Sequence, residues 1–256
     1  MHLTRPLARS TDVRDCKRSY RKDEFAAFHW KPHQTTRPDA THWRAPPLRA
    51  HYRRQQAPRL PSSAPWRLDD SNDRRPLVVL HNKHNVEWNG HPLNTIGLKL
   101  LESLLHILTP LPLRLLYSRP GGPGLDDTGS PSVAFEDAEW LRKRAPTVLH
   151  LADVAAANNE LTFNALQVAL FARADHAISV QGGPSLLLAQ FLGAGGDLVV
   201  LHKRGGEDGG KRGHVGGASE YSVLFPAFDG ATVTVAHNDD ELLAAVKQLA
   251  PLWAVE

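Results

Sequence analysis

The segment HAISVQGGPSLLLAQFLGAGGDLVVLH, residues 176–202, leaves the chain few ways to fold. It runs through a short apolar stretch, a glycine turn, an apolar helix, a second glycine turn and a buried-type strand. Ala177 to Val180 form the first strand, which stops at Gln181-Gly182-Gly183. Pro184 stands at the first helical position, where its missing N–H would have no partner anyway. Gly193, Gly195 and Gly196 end the helix, and Leu198 to Leu201 make the next strand. A strand feeding a glycine turn and a helix N-terminus gathers backbone N–H groups at one point, which suits a phosphate or another anion. A plain β-turn-α unit, with glycines that only make the turn, fits the same residues.

The rest of the chain divides in two. Residues 1–75 carry 17 Lys and Arg against 8 Asp and Glu, a net of +9, and residues 76–256 carry 13 against 19, a net of −6. The basic character therefore belongs to the first part and is no argument for nucleic-acid binding by the whole. Residues 44–70 have almost no aliphatic pairs to bury, so residues 1–75 are expected to be a disordered basic segment. A tail for RNA or anionic membranes, with Trp30, Trp43 and Trp66 as stacking groups, is the functional alternative to a plain solvated tail. Cys16 is the single cysteine, which excludes an intrachain disulfide and a cysteine-based zinc site. With no apolar run of 18 residues and no secretory apolar core, neither a membrane span nor a signal peptide is expected, and a cytoplasmic location is favoured.

From Pro76 onward strands alternate with helices. Strands are expected at 77–80, 113–118, 147–151, 177–180, 198–201 and 231–236. Helices are expected at 93–108, 135–144, 159–174, 185–191 and 239–249. This alternation predicts one α/β domain over 76–256, with a mainly parallel sheet and helices on both faces. Ligands of such sheets bind beyond the carboxyl ends of the strands, which singles out four segments.

After the first strand comes HNKHNVEWNG. Lys83 can balance phosphate charge, Glu87 can act as a base or accept from sugar hydroxyls, and Trp88 can stack. His81 and His84 lack an evident third ligand, so no metal site is expected. Arg119, directly after the second strand, can clamp phosphate oxygens or stand as a solvated cation. Asp126-Asp127 in the same loop read as a turn. Glu160, Asn164 and Gln167 are spaced to share one helical face and to form a buried polar network. The glycine-rich loop 203–217 suits a lid, with Glu207 reaching ribose hydroxyls, or a flexible surface loop.

Taken together, VVLHNKHNVEW, ELTFNALQ, HAISVQGGPSLLLAQFLG and VVLHKRGGE resemble the nucleotide-sugar-binding half of a GT-B-type glycosyltransferase. They are most similar to glycosyltransferase-like proteins with an NKY-x-x-EW segment and an ISVQGG turn, with a looser analogy to the glycosyltransferase 61 group. The resemblance covers residues 76–240. It implies a Rossmann-like domain and a donor diphosphate at Gln181, Gly182, Gly183 and Ser185, faced by Lys83 and Glu87 from the first strand. The residues at the strand ends add Arg119 and Glu207 to the expected donor site and make Glu87 and Lys83 the expected catalytic residues. A glycan or protein hydroxyl is the expected acceptor and no cofactor is expected; a nucleic-acid interaction protein acting through the basic segment is the less favoured alternative. His84 replaces the aromatic residue of that pattern, and the second domain that GT-B enzymes use for the acceptor is not legible in residues 1–75. A fragment, a degenerate nucleotide- or anion-binding module and an enzyme with an unusual acceptor site all fit this departure.

Overall fold

The computed structural model describes residues 45–68, 70, 72–84, 94–119, 135–192, 195–203 and 231–255. In chain order these form α1 (Ala45–Arg54), β1 (Leu77–His81), α2 (Leu98–Leu108), β2 (Arg114–Ser118), α3 (Asp137–Arg144), β3 (Val148–His150) and α4 (Leu151–Ala156). They continue with α5 (Phe163–Phe171), β4 (His176–Val180), α6 (Gly183–Phe191), β5 (Asp197–Leu201), β6 (Thr232–Ala236) and α7 (Asp239–Trp253). The six strands pair only in parallel, in the order β3-β2-β1-β4-β5-β6. The chain is a Rossmann-like α/β domain.

Strands β1 to β5 are short and apolar on both sides, and strict alternation sorts their residues between two cores. Val78, Leu80, Leu115, Tyr117, Ile178, Val180, Val199 and Leu201 point to the face covered by α2 and α7. Leu77, Val79, Leu116, Ala177, Leu198 and Val200 point to the other face, covered by α4, α5 and α6. Helix α2 buries Leu100, Leu101, Leu104, Leu105 and Leu108, the spacing of a single apolar stripe. Helix α7 runs beyond the expected end at 249 and includes Pro251. Its last turn is held by Trp253, which stacks on His176 and donates its indole N–H to Asp197 Oδ2 at 2.7 Å.

Three expectations change. Helix α5 starts at Phe163, not 159, because Thr162 is its N-cap and accepts the Ala165 N–H at 3.2 Å. Glu160 therefore lies outside the helix and pairs with Arg59 at 2.6 Å, Asn164 is exposed, and Gln167 is buried with Nε2 unpartnered. These three side chains do not share one buried helical face. Second, β3 passes straight into α4, a helix the sequence reading lacks.

The third change concerns residues 45–68, 70 and 72–75, which pack as part of the domain, so its boundary lies before Pro76. Helix α1 rests against α5 and α6, with Tyr52 packed edge-on against Phe191. Its arginines are helix caps. Arg49 donates to Ala172 O at 3.3 Å and Ala174 O at 2.6 Å, and Arg53 donates to Ala172 O at 3.1 Å. These are carbonyls past the end of α5, which no intrahelical N–H reaches. Arg173 returns the favour to α1, donating to Tyr52 O at 3.3 Å and Gln55 O at 2.8 Å. Asp175 completes the seam, accepting from Arg49 and Arg53 and from the Leu77 N–H. Trp66 is buried in the same core, with the Arg114 guanidinium 5.9 Å from its ring centroid. Trp66 is thus a core residue and not an exposed stacking group. Residues 1–44, with Trp30 and Trp43, lie outside the described residues.

Candidate functional site

The strand order reverses direction between β1 and β4. The connection from β1 goes to α2 on one face, and the connection from β4 goes to α6 on the other. Two neighbouring strands whose chains leave on opposite faces part at their carboxyl ends, and the crevice between them is where open parallel sheets take ligands. The segments expected to bind, after β1 and after β4, are the two that border it.

The turn after β4 is braced from within. Gly182 has φ +150° and ψ −177°, a backbone conformation that favours glycine. Gly183, the next residue, has no positive φ, so the glycine requirement falls on Gly182 alone in this turn. Ser185 is buried and donates its hydroxyl to Gly182 O at 2.6 Å, while the Gly182 N–H donates to Ser185 Oγ at 3.3 Å. The Gln181 N–H donates to Leu201 O at 2.9 Å. Ser185 and the Gln181 backbone therefore fix the shape of the turn. Of the N–H groups that a helix start leaves without acceptors, that of Ser185 donates to Gly182 O at 3.1 Å and Pro184 has none, so this turn offers an anion fewer donors than a bare helix end.

Lys83 meets this turn from β1. A Cβ built on Gly182 would lie 3.7 Å from Lys83 Nζ. The ammonium group thus stands beside the glycine backbone at the mouth of α6, where positive helix-end charge and a cation add.

Lys83 is placed by Asn82, a fully buried residue that the sequence reading passed over. Asn82 Oδ1 accepts the Lys83 N–H at 2.9 Å and the Ile96 N–H at 2.8 Å. Asn82 Nδ2 donates to Ile96 O at 2.9 Å and to the Tyr117 hydroxyl oxygen at 3.0 Å. One side chain closes the loop after β1 at both ends. Its signal is an asparagine directly after an apolar strand, where its amide can replace the missing ladder partners.

Tyr117 passes the network on by donating its own hydroxyl to Asp137 Oδ2. Burial and the adjacent Asp137 carboxylate hold the Tyr117 phenol well above its ordinary pKa, so it stays protonated. Asp137 is 0% exposed and also pairs with Arg119 Nε at 2.7 Å. Arg119 Nη2 donates to Phe135 O at 3.4 Å. The arginine read as a phosphate clamp thus has its charge countered by a buried carboxylate, on the far side of β1 from the glycine turn. His84 stacks on Phe135 with ring centroids 4.2 Å apart.

A second asparagine, Asn94, is 1% exposed and joins three edge segments. It donates Nδ2 to Gln181 Oε1 at 3.3 Å and accepts the Lys203 N–H, just after β5, at 2.8 Å. Lys203 Nζ pairs with Asp239 Oδ1 at 2.9 Å.

The structure therefore brings together Lys83, Gln181, Gly182 and Ser185, with Gly183 opening the helix. Glu87, Trp88, Asp126, Asp127 and Glu207 lie outside the described residues. Among the described residues no three His, Cys, Asp or Glu side chains group as metal ligands, and no helix is long and apolar enough to cross a membrane. No family model, no curated protein and no solved structure matches this chain.

Proposed function

We propose that the chain binds the diphosphate of a nucleotide-sugar donor in the crevice between β1 and β4 and transfers the sugar to a glycan or protein hydroxyl. The observation that carries the anion part is the Lys83 ammonium beside the positive-φ Gly182 at the start of α6. Glycosyl transfer is the finer part, and it rests on the resemblance of the four edge segments to GT-B donor domains. In that reaction the acceptor oxygen bonds to the anomeric carbon as the bond to the diphosphate breaks. Lys83 and the α6 backbone would stabilise the leaving charge, and Glu87 would take the hydroxyl proton.

One observation favours a second reading, a nucleotide- or anion-binding module without catalysis. Ser185 supplies the hydroxyl of the turn, and that hydroxyl already braces Gly182. A nucleic-acid role through the basic segment has less support, because its Arg49 and Arg53 serve as helix caps.

Calorimetry with UDP, GDP, their sugars and the free nucleosides tests the proposal. Lys83→Ala is expected to weaken diphosphate binding tenfold or more, a change of about 1.4 kcal/mol, and to leave nucleoside binding unchanged. Gly182→Ala should do the same by straining the turn. Equal diphosphate affinity in folded Lys83→Ala and wild type would exclude the anion site. Donor hydrolysis separates the enzyme from the module.

A further inference from the structure

We propose that Asn94 is the positioning residue that sets the anion site, by stapling the loop after β1 to both the glycine turn and the segment after β5. The proposal rests on the diphosphate reading of that site. Pairing of β1 with β4 ends at His81↔Ser179. Beyond it Lys83 and Gly182 belong to connections that leave on opposite faces, so the ladder no longer fixes their separation. Asn82 holds Lys83 only to its own loop and to β2. Asn94 supplies the cross-link, with its amide N–H on Gln181 Oε1 and its carbonyl on the Lys203 N–H.

The energetic argument points the same way. A buried amide that loses its partners is costly, so Asn94 favours the arrangement in which all three segments stay in register. A site that needs the Lys83 ammonium and the glycine-turn backbone on one anion loses affinity when one moves by an ångström relative to the other. Asn94 touches no proposed ligand; it acts through Gln181 and Lys203.

The test uses the full chain, with inorganic pyrophosphate and UDP as probes. Asn94→Ala is expected to weaken both about tenfold and to leave uridine binding unchanged. It should also speed hydrogen exchange at the Lys203 amide, whose acceptor it removes. Gln181→Ala should produce part of the same loss, and Asn94→Ala combined with Gln181→Ala should lose less than the two separate effects multiplied. Asn94→Asp keeps an acceptor for Lys203 and so guards against simple failure to fold; its added negative charge should weaken pyrophosphate at least as much. If the Asn94 variants fold and bind pyrophosphate within twofold of wild type while Lys83→Ala does not, Asn94 is only a structural link and the anion site stands. If wild type binds neither probe, the site and the positioning role fall together. A lowered melting temperature with unchanged affinity also overturns the role.

Discussion

A chain that begins at Pro76 will not hold the fold that a chain beginning at Trp43 holds. The shorter chain contains every strand of the sheet, and the residues from 43 to 256 form one compact unit. Removing 43–75 takes Trp66 out of the core on the α5–α6 face, together with the packed Tyr52 and Leu60. Loss of a buried tryptophan alone costs about 3–5 kcal/mol. It also strips Arg49 and Arg53 from the carbonyls of Ala172 and Ala174. Hydrogen bonds to charged donors contribute about 1.5–3 kcal/mol each. Arg173 loses its acceptors on α1 as well. Together these losses rival the whole stability of a domain, about 5–15 kcal/mol. Thermal unfolding followed by circular dichroism should show a cooperative transition for 43–256. The 76–256 chain should show none, or one lowered by more than 15 °C, since about 1 kcal/mol moves a domain of this size by roughly 2–4 °C. Melting of the two chains within a few degrees of each other would refute the role assigned to α1 and Trp66.

That segment was illegible in the sequence for a physical reason. Helix α1 reads APPLRAHYRR, with no sustained apolar stripe to announce it. What holds it is a reciprocal set of arginine caps whose acceptors lie about 120 residues away. Composition treats such arginines as solvated charge. The sheet was legible because LVVL, RLLYS, HAISV and DLVVL are dense apolar runs bounded by polar, proline or glycine residues. Helix α4 was missed because no glycine, proline or capping side chain separates His150 from Leu151.

The site divides along the same line. Its glycine turn and Lys83 are local features, each visible within a few residues of a strand end. Asn82 and Asn94 are not. Asn82 bonds to Tyr117, 35 positions on, and Asn94 to Gln181 and Lys203, 87 and 109 positions on. Arg119 shows the converse error. Its place after a strand suggested phosphate, but its partner is Asp137, the buried first residue of α3.

Acid will destabilise this domain early, and His81 is a large part of the reason. His81 ends β1 between Ser118 and Ser179, its register partners on the neighbouring strands, and is 1% exposed. Its Nδ1 is 3.5 Å from Ser118 Oγ, its Nε2 has no partner, and the Phe171 ring meets it edge-on. Burial, with the nearby Lys83 charge adding to it, pushes its pKa from 6.5 down to about 3. The folded state thus keeps the imidazole neutral while the unfolded chain takes up a proton as pH falls through 6.5. Because the unfolded state then binds more protons, stability is full above pH 6.5 and is lost as pH falls toward 3. The slope approaches about 1.4 kcal/mol per pH unit, which amounts to a loss on the order of 3 kcal/mol by pH 4.5. His150, also held below its ordinary value by burial and by Arg142, acts in the same direction. Carboxylates contribute to acid unfolding too, so the informative quantity is a difference between variants. His81→Phe replaces one ring by another against Phe171 and removes the proton-binding site, at a packing cost that does not depend on pH. In urea unfolding from pH 7.5 to 4.5, the stability of His81→Phe relative to wild type should therefore rise by about 3 kcal/mol. A difference that stays constant across that range would mean that His81 does not hold a neutral, buried imidazole.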